Sequence, residues 1–115
     1  MYPQADRGLR KPTMVIKKLV EGNTTDLIPA EVMITALFKD GQLAGKGGCN
    51  NYRATYTNQD KQLLVAAILS TKMFCPDNNW ESRYFKALEG KLSWQISANT
   101  LTLQGANGSL VFERP

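Results

Sequence analysis

The chain has 115 residues, a net charge of +4, and 43% hydrophobic and 21% charged side chains, the balance of one ordinary globular domain with room for a single core. No apolar run approaches the ~20 residues of a membrane-spanning helix. Histidine is absent, which excludes the nucleophile pairs and zinc sites that draw on imidazole.

Residues 1–12 read as a flexible basic arm or linker, and the domain proper as 13–115. Arg7, Arg10, Lys11, Lys17 and Lys18 stand against Asp6 alone and account for the net charge, so the rest of the chain is neutral. Pro3 and Pro12 suit a solvated linker, and the neutral body argues against a groove for phosphates. The opening residues contain no apolar signal-peptide core.

From Met14 onward the pattern is mainly that of strands. "TMVIKKLV" is rich in β-branched residues, and "EVMITALFK" alternates Val32, Ile34, Ala36 and Phe38 with Met33, Thr35, Leu37 and Lys39, the period of two of a pleated strand. Asp40-Gly41 predicts a type I′ turn, with "QLAGKGG" as the returning arm. "NYRATYT" and "QLLVAAIL" form a second hairpin through "NQDK". Helical spacing of Trp80, Tyr84 and Leu88, with Phe85 beside them, predicts a helix at about 79–89, its polar face carrying Arg83 and Lys86. Asn78 and Glu81 would close a capping box at its start, and Gly90 would stop it. "KLSWQIS", "TLTLQ" and "SLVFER" follow as a three-strand meander. The fold class expected is α+β and β-rich, a curled, mostly antiparallel, open barrel-like sheet with one helix.

The densest cluster of unusual residues is "GKGGCNNYRATY", Gly45 to Tyr56. As a nucleophile Cys49 would need a base or a positive neighbour, and only Lys46 or Arg53 is near in sequence. The glycines are better explained as a backbone corner where the sheet bends. Tyr52, Arg53 and Tyr56 are candidate surface contacts, since Tyr and Arg are favoured at interfaces; if the face shared by Tyr52 and Tyr56 is the core, that signal vanishes. Acidic residues are scattered singly, so no metal or cofactor is expected. Thr71 and Met73 read as core, or as the lining of a cavity.

The order of strand, "GGCNNY", strand, "STKMFC", Glu81-bearing helix and a closing "GSLVFER" resembles the META/HslJ-like domain family. The motif residues are Gly47, Gly48, Cys49 and Asn50; Thr71, Met73 and Cys75; and Glu81, with Leu101, Leu103 and Gly108 in the closing pattern. The family usually has a Ser-Gly pair after the tyrosine, whereas here Arg53-Ala54-Thr55 follows Tyr52, so the bend must be made without glycine or be less sharp. The resemblance implies a small β-rich domain of a bacterial envelope lipoprotein or secreted protein, associated with heat-shock or antibiotic stress, with no established catalysis. An even cysteine count in an envelope-type family favours a Cys49–Cys75 disulfide; two buried free thiols are the alternative. The expected function is thus a non-enzymatic structural or binding module whose partner is a protein or envelope component, with any lipid anchor outside this chain. A thiol-dependent enzyme or redox protein using Cys49 and Cys75, and a nucleic-acid binder acting through the basic arm, are the competing classes.

Overall fold

The computed structural model describes residues 13–75 and 79–114. The strands are β1 (Met14–Glu21), β2 (Thr24–Leu27), β3 (Met33–Lys39), β4 (Gln42–Gly48), β5 (Asn51–Gln59), β6 (Gln62–Ser70), β7 (Gly90–Ser97), β8 (Thr100–Gly105) and β9 (Gly108–Glu113), with one helix, α1 (Asn79–Leu88), between β6 and β7. Every strand pairs antiparallel with its neighbour in the order β1-β3-β4-β5-β6-β7-β8-β9, and β9 returns to pair with β1. The expected curled sheet is therefore a closed eight-stranded barrel. Closure removes the free edges that an open sheet of this size would expose. Strand β1 serves three neighbours: on one edge Met14 and Val15 pair with β3 and Lys18 to Glu21 with β2, and the other edge pairs with β9 in a register that shifts between Ile16 and Lys18.

Strand β2 is absent from the sequence reading. Its four residues are exposed or half-buried throughout, so it carries no apolar alternation, and it forms only as a short flap on β1.

Alternation decides what fills the barrel. Ile34, Ala36 and Phe38 of β3, Tyr52, Ala54 and Tyr56 of β5, and Leu101 and Leu103 of β8 all point inward and are buried. Asp40 and Gly41 both have positive φ, 51° and 82°, as the type I′ turn requires. Asp60 and Lys61 repeat this at 53° and 66° without a glycine. The bend expected after Tyr52 is made on the facing strand: the β5–β6 register shifts between Arg53 and Thr55, and Ala67 takes a φ of 56°, a local bulge that turns the sheet.

Helix α1 lies across one end of the barrel, against β4, β8 and β9. Tyr84 and Leu88 are fully buried, as the helical spacing predicted, but Trp80 is only partly buried. The inward stripe is Glu81, Tyr84, Phe85 and Leu88, spaced i, i+3, i+4, i+7. Its rotation by one residue moves Trp80 to the margin, where the Arg83 guanidinium covers its ring at 4.7 Å. Nor does Arg83 simply face water. Its Nη2 donates to Glu21 Oε1 (2.7 Å) and Asp26 Oδ2 (2.6 Å), and its Nε to Glu21 Oε1 (3.0 Å), tying the helix to the β1–β2 flap. The hydrogen bond to Asp26, with that to Glu21, raises the guanidinium pKa despite its partial burial. Gly90 ends the helix at a φ of 99°. The arm at 1–12 and the Asn78 half of the capping box lie outside the described residues.

Candidate functional site

Between β4 and β5 the chain reverses over Gly47–Asn50, and the Gly47 N–H donates to the Asn50 carbonyl at 2.8 Å. Gly47 has to be glycine because the helix packs directly on it. A Cβ there would lie 2.8 Å from Phe85 Cζ and 2.9 Å from Glu81 Oε2. Gly48 follows with a φ of 113°, a conformation open to little else.

Asn50 is the hub of this corner. Its backbone N–H donates to Glu81 Oε2 (2.7 Å), its Nδ2 to Glu81 Oε1 (2.8 Å) and to the Met73 carbonyl (3.3 Å). In return its Oδ1 accepts the Thr71 hydroxyl (2.8 Å) and the Met73 N–H (2.7 Å). Glu81 Oε2 also accepts the Cys49 N–H at 3.2 Å. One buried amide and one buried carboxylate thus join the corner, the 71–75 segment and the first turn of α1. Burying these groups is tolerable only because they satisfy one another.

The two cysteines complete the clamp. Cys49 and Cys75 form a disulfide, their Cα atoms 6.3 Å apart across 26 residues. The Thr71 N–H donates to the Asn51 carbonyl (3.0 Å), carrying the β5–β6 ladder one step further, and the Asn51 N–H donates in turn to the Thr71 hydroxyl (3.2 Å). The 71–75 segment is therefore held by its backbone, the Thr71 hydroxyl and the Cys75 sulfur, while two of its side chains point out: Met73 is 59% exposed and Phe74 88%.

Beneath the corner, the Tyr52 hydroxyl donates to the Thr35 carbonyl at 2.8 Å and meets the Tyr84 hydroxyl at 2.5 Å. A hydroxyl has one hydrogen, so with that of Tyr52 spent on Thr35, Tyr84 is the donor in the second bond. Burial pushes the pKa of Tyr52 well above its ordinary value, the bond from Tyr84 offsetting this in part, and pushes Tyr84 up as well. Both stay neutral across the physiological range.

The sequence motif is thus assembled: Gly47, Gly48, Cys49, Asn50, Thr71, Met73, Cys75 and Glu81 meet in one place. Three readings of these parts need correction. Tyr52 and Tyr56 are 4% and 5% exposed, so they are core residues and no contact surface; Arg53 on the alternate face is exposed. Thr71 and Met73 are exposed and do not pack in the core; of the two expectations it is the cavity lining that holds, since both border an open pocket with Asn50, Phe74 and Phe85, and the motif works there through backbone groups and a hydroxyl. Glu81 is more than a helix-start residue, since its carboxylate spans to the opposite strand corner.

Sequence reasoning missed the Glu21–Arg83–Asp26 bridge, Tyr84 as a hydroxyl donor, and Asn58, buried where its Oδ1 accepts the Trp94 indole N–H at 2.9 Å. One signal for Glu81 was present: an acid falls in phase with the helix's apolar positions. Among the described residues no group of three or more Cys, Asp or Glu could hold a metal ion, and no helix is long and apolar enough to cross a membrane.

A family model described as the META domain matches residues 9–115. An NMR structure of a protein from Burkholderia xenovorans is similar at 23% identity and a TM-score of 0.78, covering 98% of this chain and 88% of that one. A second NMR structure is similar at 18% identity and a TM-score of 0.69, covering 94% and 92%. At these identities the two structures speak to the fold alone. No curated protein matches the chain.

Proposed function

The chain belongs to the META domain family, and from that premise we propose that it works by binding, as a non-enzymatic module of the cell envelope that serves stress tolerance. The observation that carries this reading is how the motif residues are used. Asn50 and Glu81 are engaged with each other and with backbone groups, and both thiols are joined. What this machinery displays is an exposed aromatic side chain, Phe74. A corner built to hold a segment in place, with an apolar residue at its tip, suits recognition, because a preorganised contact loses little entropy on binding. An oxidised cysteine pair also suits an envelope compartment.

The competing reading, thiol redox chemistry at Cys49 and Cys75, is favoured by the half-buried position of both residues. Two measurements decide. In cells lacking the protein, Phe74→Ser should fail to restore heat and antibiotic tolerance although it folds as wild type does; full restoration overturns the binding reading. Catalysed disulfide exchange above the rate of the buffer thiol would establish the redox reading in its place.

A further inference from the structure

Beside the corner, exposed apolar and cationic side chains share one end of the barrel. Phe74 (88% exposed), Leu69 (64%) and Met73 (59%) stand clear of the surface. Leu69 is paired with Arg53 across β5–β6, and Lys46 with Asn51 across β4–β5. Asn51 and Arg53 both point outward, and Asn51 is bonded to Thr71, next to Lys72. Lys46, Arg53 and Lys72 therefore rim the apolar residues, all three exposed. None of them is in an ion pair among the described residues. Residues 41–59 and 62–75 contain no acid, and Glu81 is buried. Asp77 lies outside the described residues.

Resting on the binding reading above, we propose that this tip docks on an anionic lipid surface, with Phe74, Met73 and Leu69 entering the interface and Lys46, Arg53 and Lys72 meeting the headgroups. Charge complementarity singles out this partner. Three cations with no ion pair among the described residues, set around protruding apolar side chains, match a medium with negative charge at its surface and hydrocarbon just below it. Met73 and Phe74 border one open pocket with Lys72 and Phe85, and Leu69 borders another with Arg53, so no single cleft takes all three and a conforming lipid surface covers them together. Rigidity helps: Asn50 holds Met73 by both its N–H and its carbonyl, and the disulfide holds Cys75, so Phe74 is fixed from both sides before contact.

The test is co-sedimentation of the full chain with phosphatidylcholine vesicles, with and without phosphatidylglycerol, at low and high salt. Binding should require phosphatidylglycerol and fall with salt. Phe74→Ser should weaken it roughly tenfold, and Lys72→Gln or Arg53→Gln about fivefold each. Lys39→Gln and Lys91→Gln, at the other end of the barrel, should each have an effect of about twofold or less. Phe74→Trp should give blue-shifted emission on vesicles. Equal losses from Lys39→Gln and Lys91→Gln would mean diffuse attraction and overturn the proposal. If wild type ignores vesicles while Phe74→Ser still fails to restore tolerance, the lipid assignment falls and a protein partner takes its place. Should Phe74→Ser restore tolerance, the binding reading falls with it.

Discussion

Replacing Glu81 by Gln changes one atom and isolates the acceptor chemistry of the corner. Glu81 Oε2 faces two backbone N–H groups, of Cys49 and Asn50, and Oε1 faces Asn50 Nδ2. The backbone donors cannot reverse, so the single oxygen of a glutamine must go to them, and its NH2 is then set against Asn50 Nδ2, donor against donor. Rotating the Asn50 amide moves the conflict without removing it. Nδ2 would then face the Met73 N–H, which is also fixed. One buried donor therefore stays unsatisfied in every arrangement, and two hydrogen bonds lose their charged acceptor. At about 1–3 kcal/mol for a buried group left unpaired, plus the weakening of charge-assisted bonds, the expected cost is about 2–4 kcal/mol. That is a large share of a small domain's stability, and corresponds to a Tm lower by roughly 10–25 °C. Urea unfolding of wild type, Glu81→Gln and Glu81→Ala measures it. Glu81→Gln within about 0.5 kcal/mol of wild type would refute the argument, because an isosteric change can be neutral only if the carboxylate is not the acceptor of these bonds.

Alkaline stability should follow from the tyrosine pair. Tyr52 and Tyr84 hold their protons in the fold, whereas unfolded tyrosines ionise near pH ~10. Above that pH the native state binds more protons than the unfolded one, so stability should be intact below ~10 and decline as pH rises further. Tyrosinate absorbance checks this, and titration of every tyrosine near ~10 in the folded protein would contradict it. Reducing the Cys49–Cys75 bond, which closes a loop of 26 residues, should cost about 3.5 kcal/mol in the chain-entropy estimate; an unchanged Tm in excess dithiothreitol would refute this. Arg83→Lys should cost about 1 kcal/mol, because a lysine cannot reproduce the forked contact with Glu21 and Asp26 and the cover over Trp80, and the site is partly exposed. A double-mutant cycle with Asp26→Asn reads the coupling, and a value near zero would show that the bridge contributes nothing.

Trp80→Ala and Leu88→Ala illustrate how a small rotation changes an expectation. Helical spacing alone places both in the core. With the inward stripe running through Glu81, Tyr84, Phe85 and Leu88, only Leu88 is fully buried, so its truncation should cost the several kcal/mol of a core cavity and that of Trp80 less.

Much of this molecule was legible in one dimension because the interactions that set it are local. The alternation of "EVMITALFK" and "NYRATYT", the Asp40-Gly41 turn, the helix before Gly90 and the three-strand meander all depend on neighbours a few residues apart. Residue order also showed the motif whose parts come together at Asn50 and Glu81. Tertiary structure alone decided the rest. Alternation separates Tyr52 and Tyr56 from Arg53 but carries no sign, so which set faced inward waited on closure of the barrel by β9 against β1. Glu81 is 31 residues from Asn50, and Arg83 is 62 from Glu21. No local period encodes contacts at such separations. An acid on an apolar helix stripe becomes a structural pin only when another part of the chain supplies its donors, and burial then makes the pairing obligatory, since neither partner retains water as an alternative.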